Sequence, residues 1–340
     1  MRQLASIQKV VSLTAIPKAD MIVMAQVLGW ECVVKKDEFQ PGELGVYFEI
    51  DSLLPVQSEF AFLEKCKYRI KTIRLKGQVS QGLLIPLSTI KYVNLSSCKE
   101  GDDVTELLGV KKWEPPDPFS GGRSNLRGKV KGTFPQFLSK TDETRIQSYP
   151  RLLEDLKDVD MYYAEKVDGS SLTAYFRNGV FGLCSRNLEL KRDSTILNAF
   201  WAGADKYDLE NKLTALNRNV ALQGELLGPG IQKNKYHLTE YEVLFFNAYD
   251  IDNHKYLDFE EFKALVESLG LKTVPIIETN FRLNHTVKDL VTLVTGNSVL
   301  LEGALREGFV FRPMKEMQIH RYGRASFKVI NPEFLLKWAE

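Results

Sequence analysis

Between Lys111 and Pro135 the chain loses its hydrophobic pattern: Trp113-Glu114-Pro115-Pro116-Asp117-Pro118-Phe119-Ser120-Gly121-Gly122 is punctuated by proline and glycine and follows neither a strand nor a helix period. Such a stretch reads as a linker and divides the 340 residues into two bodies, which also suits a chain of this length. The expected organisation is a first domain over 1–110, a linker over 111–135 and a second domain over 136–340. Arg123, Arg127, Lys129 and Lys131 make the linker basic, a composition suited equally to ordering on a polyanion and to staying solvated.

Residues 1–110 break into short apolar runs, Ala5 to Leu13, Met21 to Val27, Glu31 to Val34, Gly45 to Glu49 and Ser80 to Ile85, separated by Gly29, Pro41-Gly42, Gly77 and Gly82. Short strands with turns between them predict a small β-barrel, and the OB-fold is the common five-stranded barrel that grips nucleic acid. Charge is distributed unevenly: the net +1 hides +4 over residues 1–150 and −3 over the rest. The excess gathers in Lys65, Lys67, Arg69, Lys71, Arg74 and Lys76, with no acid among them and partial alternation with Ile70 and Ile73. Cations on one face of a strand or ribbon suit a phosphate backbone, and equally a solvated edge that discourages sheet aggregation.

In the second domain a helical Arg151 to Leu156 precedes strands expected at Met161 to Lys166, Leu172 to Phe176, Phe181 to Ser185, Val220 to Leu227 and Glu242 to Ile251. Helices are expected at Ser194 to Lys206, Asp258 to Leu269, Val287 to Thr295 and Pro332 to Ala339. Without strand-helix-strand regularity this is a mixed α/β or α+β domain. Asp250, Asp252, Asp258 and Glu261 fall at the offsets of an EF-hand loop, but Lys255 stands where that loop needs glycine. Asp258, Glu260 and Glu261 suit the positive end of a helix instead.

Hydrophobic content of 44% and charged content of 26% describe an ordinary globular chain. No apolar run approaches the roughly 18 residues a membrane span needs, and the N-terminus lacks a signal-peptide core, so an intracellular place is expected, cytoplasmic with the nucleus not excluded. Cys32, Cys66, Cys98 and Cys184 and the four histidines show neither disulfide nor zinc spacing.

Lys166 stands where the strand-like Tyr162-Tyr163-Ala164 run meets the turn pair Asp168-Gly169, an accessible place for a nucleophile. A free lysine titrates near about 10.4, so only about one in a thousand is unprotonated at neutral pH, and desolvation or a neighbouring cation has to lower that value. Further along come Ser185-Arg186-Asn187, Gln223-Gly224-Glu225-Leu226-Leu227-Gly228, Phe245-Phe246-Asn247, Glu307-Gly308-Phe309-Val310-Phe311-Arg312 and Ser326-Phe327-Lys328-Val329. In this order the segments resemble the motifs of the covalent nucleotidyltransferases, the superfamily of DNA ligases, RNA ligases and mRNA capping enzymes. Lys140 to Gln147 and the tail from Phe327 resemble RNA ligases that seal nicks. Ile16-Pro17-Lys18-Ala19-Asp20, Gly29-Trp30 and Gly77 to Leu84 resemble the ATP-dependent RNA ligases with an N-terminal OB domain, the Deinococcus and Naegleria type. The chain runs twelve residues past Lys328, so no OB domain is expected after the last motif, unlike DNA ligases and capping enzymes.

The resemblance implies an N-terminal OB-like β-barrel plus a C-terminal α+β nucleotidyltransferase domain of the ligase and capping-enzyme type. It implies that Lys166 takes AMP from ATP, that AMP passes to a 5′-phosphate, and that a 3′-hydroxyl displaces it. Glu307 would bind the catalytic Mg²⁺ or Mn²⁺, with Glu225 and Asp168 on metal water, and Lys328 would contact the α-phosphate. Glu225 and Arg186 would face the ribose, Phe246 would stack on adenine, Glu165 would help to read it, and Gly169 would shape the turn. Lys67, Arg69, Lys71 and Arg74 are expected on the nucleic acid, a nicked duplex RNA or RNA/DNA hybrid bound by a monomer. A DNA-only ligase, a GTP-using capping-type enzyme and a non-catalytic nucleic-acid-binding relative are the alternatives. Many relatives carry a second lysine two residues from the last-motif lysine, whereas this chain has Ser326 and Ile330 there. Arg312, Lys315, Arg321 and Arg324 are the nearby cations that would have to substitute.

Overall fold

The computed structural model describes residues 2–114, 130–192 and 198–338. They fall into two compact units that do not follow chain order: 2–114 with 146–150 and 332–338, and 130–145 with 151–192 and 198–331. Arg123, Arg127 and Lys129 of the expected linker lie outside the described residues.

The first unit is built on an antiparallel five-stranded sheet in the order Trp30–Lys35, Ile22–Val27, Ala5–Ala15, Leu44–Phe48, Leu83–Pro86. The 11-residue Ala5–Ala15 strand serves two neighbours because a register shift between Val10 and Ser12 bends it. The edge strand Trp30–Lys35 comes round to the hairpin Thr72–Leu75/Gln78–Gln81, where the Val33 N–H donates to Ser80 Oγ at 2.9 Å. Inside lie Ile7, Trp30, Tyr47, Phe48 and Phe60, all fully buried. The helix Pro332–Trp338 belongs to this unit, with Leu335 packed against the same core and Glu333 paired to Arg74 at 2.5 Å.

The basic run from Lys65 to Lys76 does not form one cationic face. A 3₁₀ helix, Ser58–Cys66, ends in it, and Lys67 and Tyr68 are both left-handed at φ 53° and 58°, so the strand resumes only at Thr72. Arg69 is turned inward, paired to Asp51 at 3.0 Å with its guanidinium 3.1 Å from the Trp113 ring centre. Described parts of the expected linker are also regular: Lys111–Lys112 pairs with Ser52–Leu53, and Val130–Thr133 pairs with Leu188–Leu190, where Lys131 meets Glu189 at 2.7 Å.

The second unit holds two sheets. One follows the path Val130–Thr133, Leu188–Leu190, Val180–Cys184, Ser170–Arg177, Val220–Leu227, Glu242–Asp250, Lys255–Tyr256, with Lys272–Thr273 alongside Glu242–Asp250. The other runs Thr144–Arg145, Phe327–Ile330, Gly308–Pro313, Asp160–Lys166, Ile276–Arg282. The helix Phe259–Ser268 begins with a capping box between Asp258 and Glu261, while Asp250 accepts from Arg218 and Asn253 and Asp252 from Asn219, so the acids that mimic an EF-hand are engaged with protein partners.

Strand alternation gives this second sheet two unlike faces. Tyr163, Phe281, Phe309, Phe311 and Phe327 stack on one side, with ring centres about Tyr163 5.0–5.1 Å apart and the Phe311–Phe327 pair at 4.9 Å. On the other side the register sets Lys166 opposite Gly308, Val310 opposite Lys328 and Tyr162 opposite Arg312. Lys166 and Lys328 therefore share a face, two strands apart and one step along. Gly308 is needed between them, because a Cβ there would stand 2.1 Å from the Val329 carbonyl oxygen. Gly308→Ala must displace the Lys328 strand and is expected to cost about 1–3 kcal/mol of stability; an unchanged melting temperature would show that the strand yields freely.

Candidate active site

Lys166 ends its strand with Nζ 2.7 Å from Glu307 Oε2, the side chains 27% and 15% exposed. Glu307 directly precedes the strand partner Gly308, so the backbone pairing that closes the sheet delivers the carboxylate to the lysine. The turn after Lys166 is held at successive amides: the Asp168 N–H donates to Tyr236 Oη at 3.1 Å and the Gly169 N–H to Glu225 Oε1 at 3.1 Å. Gly169 is required by close approach, since a Cβ would lie 2.4 Å from the Leu226 carbonyl oxygen. The Asp168 carboxylate is taken by Lys235.

Three acids thus crowd one lysine. Burial, with Glu307 and Asp168 as like charges, pushes Glu225 up to about 8. Burial and Glu307 push Asp168 up to about 6, against the pull of Lys235 and Lys166. For Lys166 burial acts to lower the value, but Glu307, Glu225 and Asp168 outweigh it, so the ammonium is held above its ordinary value. The protein alone therefore does not activate this lysine; its acids stabilise the protonated form. Among the described residues no three His, Cys, Asp or Glu side chains form a preformed metal cage. The oxygen-only donor set about Lys166 nonetheless fits a hard divalent cation that keeps water and phosphate oxygens as its remaining ligands.

The other expected residues are placed as follows. Glu165 is buried and points away from Lys166: Oε2 accepts from the Val299 N–H at 3.0 Å, while Oε1 is buried without a partner. Phe246 packs against the cluster of Ala164, Val167, Leu227, Tyr236, Leu244 and Val274, with the Arg312 guanidinium 5.6 Å from its ring centre. Arg186 is exposed and pairs with Asp142 at 2.6 Å, outside the lysine cluster. Ser326, at one of the two flanking positions where a second lysine would stand, donates to Glu143, which also accepts from Arg312 at 2.7 Å. Arg324 lies 3.9 Å from the same carboxylate, pairs with Glu316 and stacks 3.7 Å from the Tyr256 ring centre.

Comparison with known proteins gives this geometry a family. A model of the OB-fold domain matches residues 4–87 and a model of RNA ligase matches residues 160–330. The chain belongs to the RNA ligase family. A mutant Naegleria gruberi RNA ligase with ATP and Mn is 37% identical, matches over 100% of both chains and superposes with a TM-score of 0.87. The Naegleria gruberi RNA ligase with PPi is 38% identical over 98% of each chain, with a TM-score of 0.86. A further mutant of that ligase, with AMP and Mn, is 38% identical over 98% of each chain, with a TM-score of 0.87. No curated protein matches.

Two residues beside the Lys166 turn belong to none of the motifs, Lys235 and Tyr236. Their segment, Gly228-Pro229-Gly230-Ile231-Gln232-Lys233-Asn234-Lys235-Tyr236, reads as a polar turn. Its signal is position: it follows directly on the Glu225 strand, so it has to lie beside the turn that Glu225 holds.

Proposed function

We propose that the chain is an ATP-dependent RNA ligase that seals a 3′-hydroxyl to a 5′-phosphate at a nick through a lysyl-AMP intermediate. The observation that carries this reading is Lys166 at a strand end, 2.7 Å from Glu307, with Asp168 on the following turn, Glu225 bonded to that turn from the strand Val220–Leu227, and Lys328 on the same sheet face. Once deprotonated, Lys166 Nζ attacks the α-phosphorus of ATP; the nitrogen–phosphorus bond forms as the bond to the β-phosphate oxygen breaks, and pyrophosphate leaves. An oxygen of the RNA 5′-phosphate then displaces Lys166, and the 3′-hydroxyl displaces AMP. In each in-line transfer the protein mainly positions groups and offsets charge.

Glu307, Glu225 and Asp168 would hold a divalent cation, which when bound offsets both their charge at Lys166 and that of the phosphates. Lys328 neutralises the α-phosphate from two strands away on the same face. Phe246 offers a ring to adenine, and the unpartnered Glu165 Oε1 offers an acceptor to its amino group. Arg186, on the surface with Asp142, is assigned to the substrate end rather than to the lysine.

Incubation with α-labelled ATP, Mg²⁺ and a nicked duplex should label the protein, pass the label to the 5′-phosphate and release AMP on sealing. No labelled protein, labelling by GTP in preference, or sealing of DNA 3′-ends alone would refute the reading. Lys67, exposed, and Lys71, half-buried, remain cations for the nucleic acid, whereas Arg69 is committed to Asp51 and Trp113. Replacing Lys67 and Lys71 by alanine should flatten the slope of log affinity against log salt by about two; an unchanged slope leaves them as a solvated edge.

A further inference from the structure

The lysine that the motifs do not account for, Lys235, brings a further ammonium to the site beside Lys166 and Lys328. Its side chain is 11% exposed and bonds the Asp168 carboxylate, itself 17% exposed. The loop that carries it adopts a costly backbone: Gln232, Lys233 and Asn234 are left-handed at φ 42°, 61° and 48°, and His237 follows at 52°. Asn234 clamps this loop, its Nδ2 donating to the Leu238 carbonyl at 2.8 Å and its Oδ1 accepting from the Leu238 N–H at 3.0 Å. Tyr236, next in the chain, is buried among Ala164, Val167, Leu227, Leu244 and Val274. Strain, clamp and buried ring together fix the residues on either side of Lys235.

The Lys235–Asp168 ion pair is not needed to shape the turn. The Asp168 and Gly169 amides are already held by Tyr236 and Glu225, and these bonds set the backbone. What Lys235 adds is charge, in a site where Glu307, Glu225 and Asp168 face Lys166. Asp168 is one of the acids assigned above to a divalent cation, so an ammonium and that cation compete for the same oxygens. We propose that Lys235 is a positioning residue that occupies Asp168 as a stand-in cation and gives the carboxylate up when a divalent cation binds. The proposal rests on the assignment of that cation to Asp168, Glu225 and Glu307. It explains how a buried carboxylate among like charges is kept oriented between turnovers, and it gives the site an intrinsic brake on metal affinity.

The test is the affinity of the intact protein for Mn²⁺ alone, followed by water proton relaxation. Lys235→Gln should bind Mn²⁺ about tenfold more tightly than wild type, because one positive charge beside the site is gone. Lys235→Arg, which restores the charge, should return to the wild-type value. A Lys235→Gln protein that melts like wild type and binds Mn²⁺ no more tightly would overturn the proposal. A second measurement needs no variant: reductive methylation of wild type, read by mass spectrometry, should modify Lys235 slowly without metal and faster at saturating Mn²⁺. An unchanged methylation rate overturns the proposal however the variants behave. Glu307→Gln separates the two levels of argument. If it binds Mn²⁺ as wild type does, the metal assignment fails and the proposal with it; if it binds weakly while Lys235→Gln shows no gain, the proposal alone fails.

Discussion

Lys166→Ala takes up no label from α-labelled ATP, whatever the pH or the divalent cation. The reason is chemical rather than structural: the first step needs an amine that can lose its proton and form a bond to phosphorus, and alanine has none. Lys166 ends its strand, so its loss leaves the backbone pairing of the sheet intact. Lys166→Arg isolates the nucleophile from its charge, because a guanidinium keeps the pairing with Glu307 and does not deprotonate. It is therefore expected to fold as wild type and to remain unlabelled. Both variants should still join a nick whose 5′-phosphate already carries AMP, since the last step uses the 3′-hydroxyl. Labelling of Lys166→Ala at the wild-type rate would place the nucleophile elsewhere and remove the proposed mechanism.

Glu143→Ala is expected to destabilise the second unit by about 3–5 kcal/mol, the cost of leaving a buried charge without its partner. Arg312, with its side chain 3% exposed, loses its 2.7 Å ion pair, and Ser326 and Arg324 lose the carboxylate they share. Glu143→Gln keeps an acceptor and should cost less. The pH dependence has a definite sign. Burial acts to raise the Glu143 value, but Arg312, Arg324 and the Ser326 hydroxyl outweigh it, so the group sits below its ordinary value in the folded protein. A carboxylate depressed on folding contributes stability that is complete above its unfolded value of about 4.3 and is lost as pH falls through the lower folded value. Melting of wild type and Glu143→Gln across pH should therefore diverge at neutral pH and converge below about pH 4. A difference that stays constant into acid would show that the glutamate acts through shape alone.

The second unit was legible in the sequence where its elements are strongly patterned. Asp160–Lys166, Val220–Leu227 and Glu242–Asp250 are near-continuous apolar runs, and Phe259–Ser268 announces itself with its capping acids. The strands Gly308–Pro313 and Phe327–Ile330 were visible only as motifs, because they are short and buried on both faces and carry no alternation. Ile276–Arg282 was missed as a half-exposed edge, and Leu209–Ala215 as a helix of barely two turns. The meeting of Lys166 and Glu307 joins residues 141 apart, and only the register of two strands creates it. The same dependence on tertiary context misled the reading of the basic run. Two consecutive left-handed residues, Lys67 and Tyr68, broke the strand that would have aligned its cations, and an acid and an indole drew Arg69 inside. For Lys166 burial acts to lower the value, as expected, while Glu307, Glu225 and Asp168, residues far apart in the sequence, act to raise it.

The helix Pro332–Trp338 completes the first unit although it is made after all of the second. During synthesis the N-terminal sheet therefore waits, with the part of its core that Leu335 covers exposed, until residues 332–338 have left the ribosome. A message cut short within the catalytic half would thus yield a defective N-terminal body as well, and quality control that senses exposed apolar surface could discard it before it competes for RNA ends.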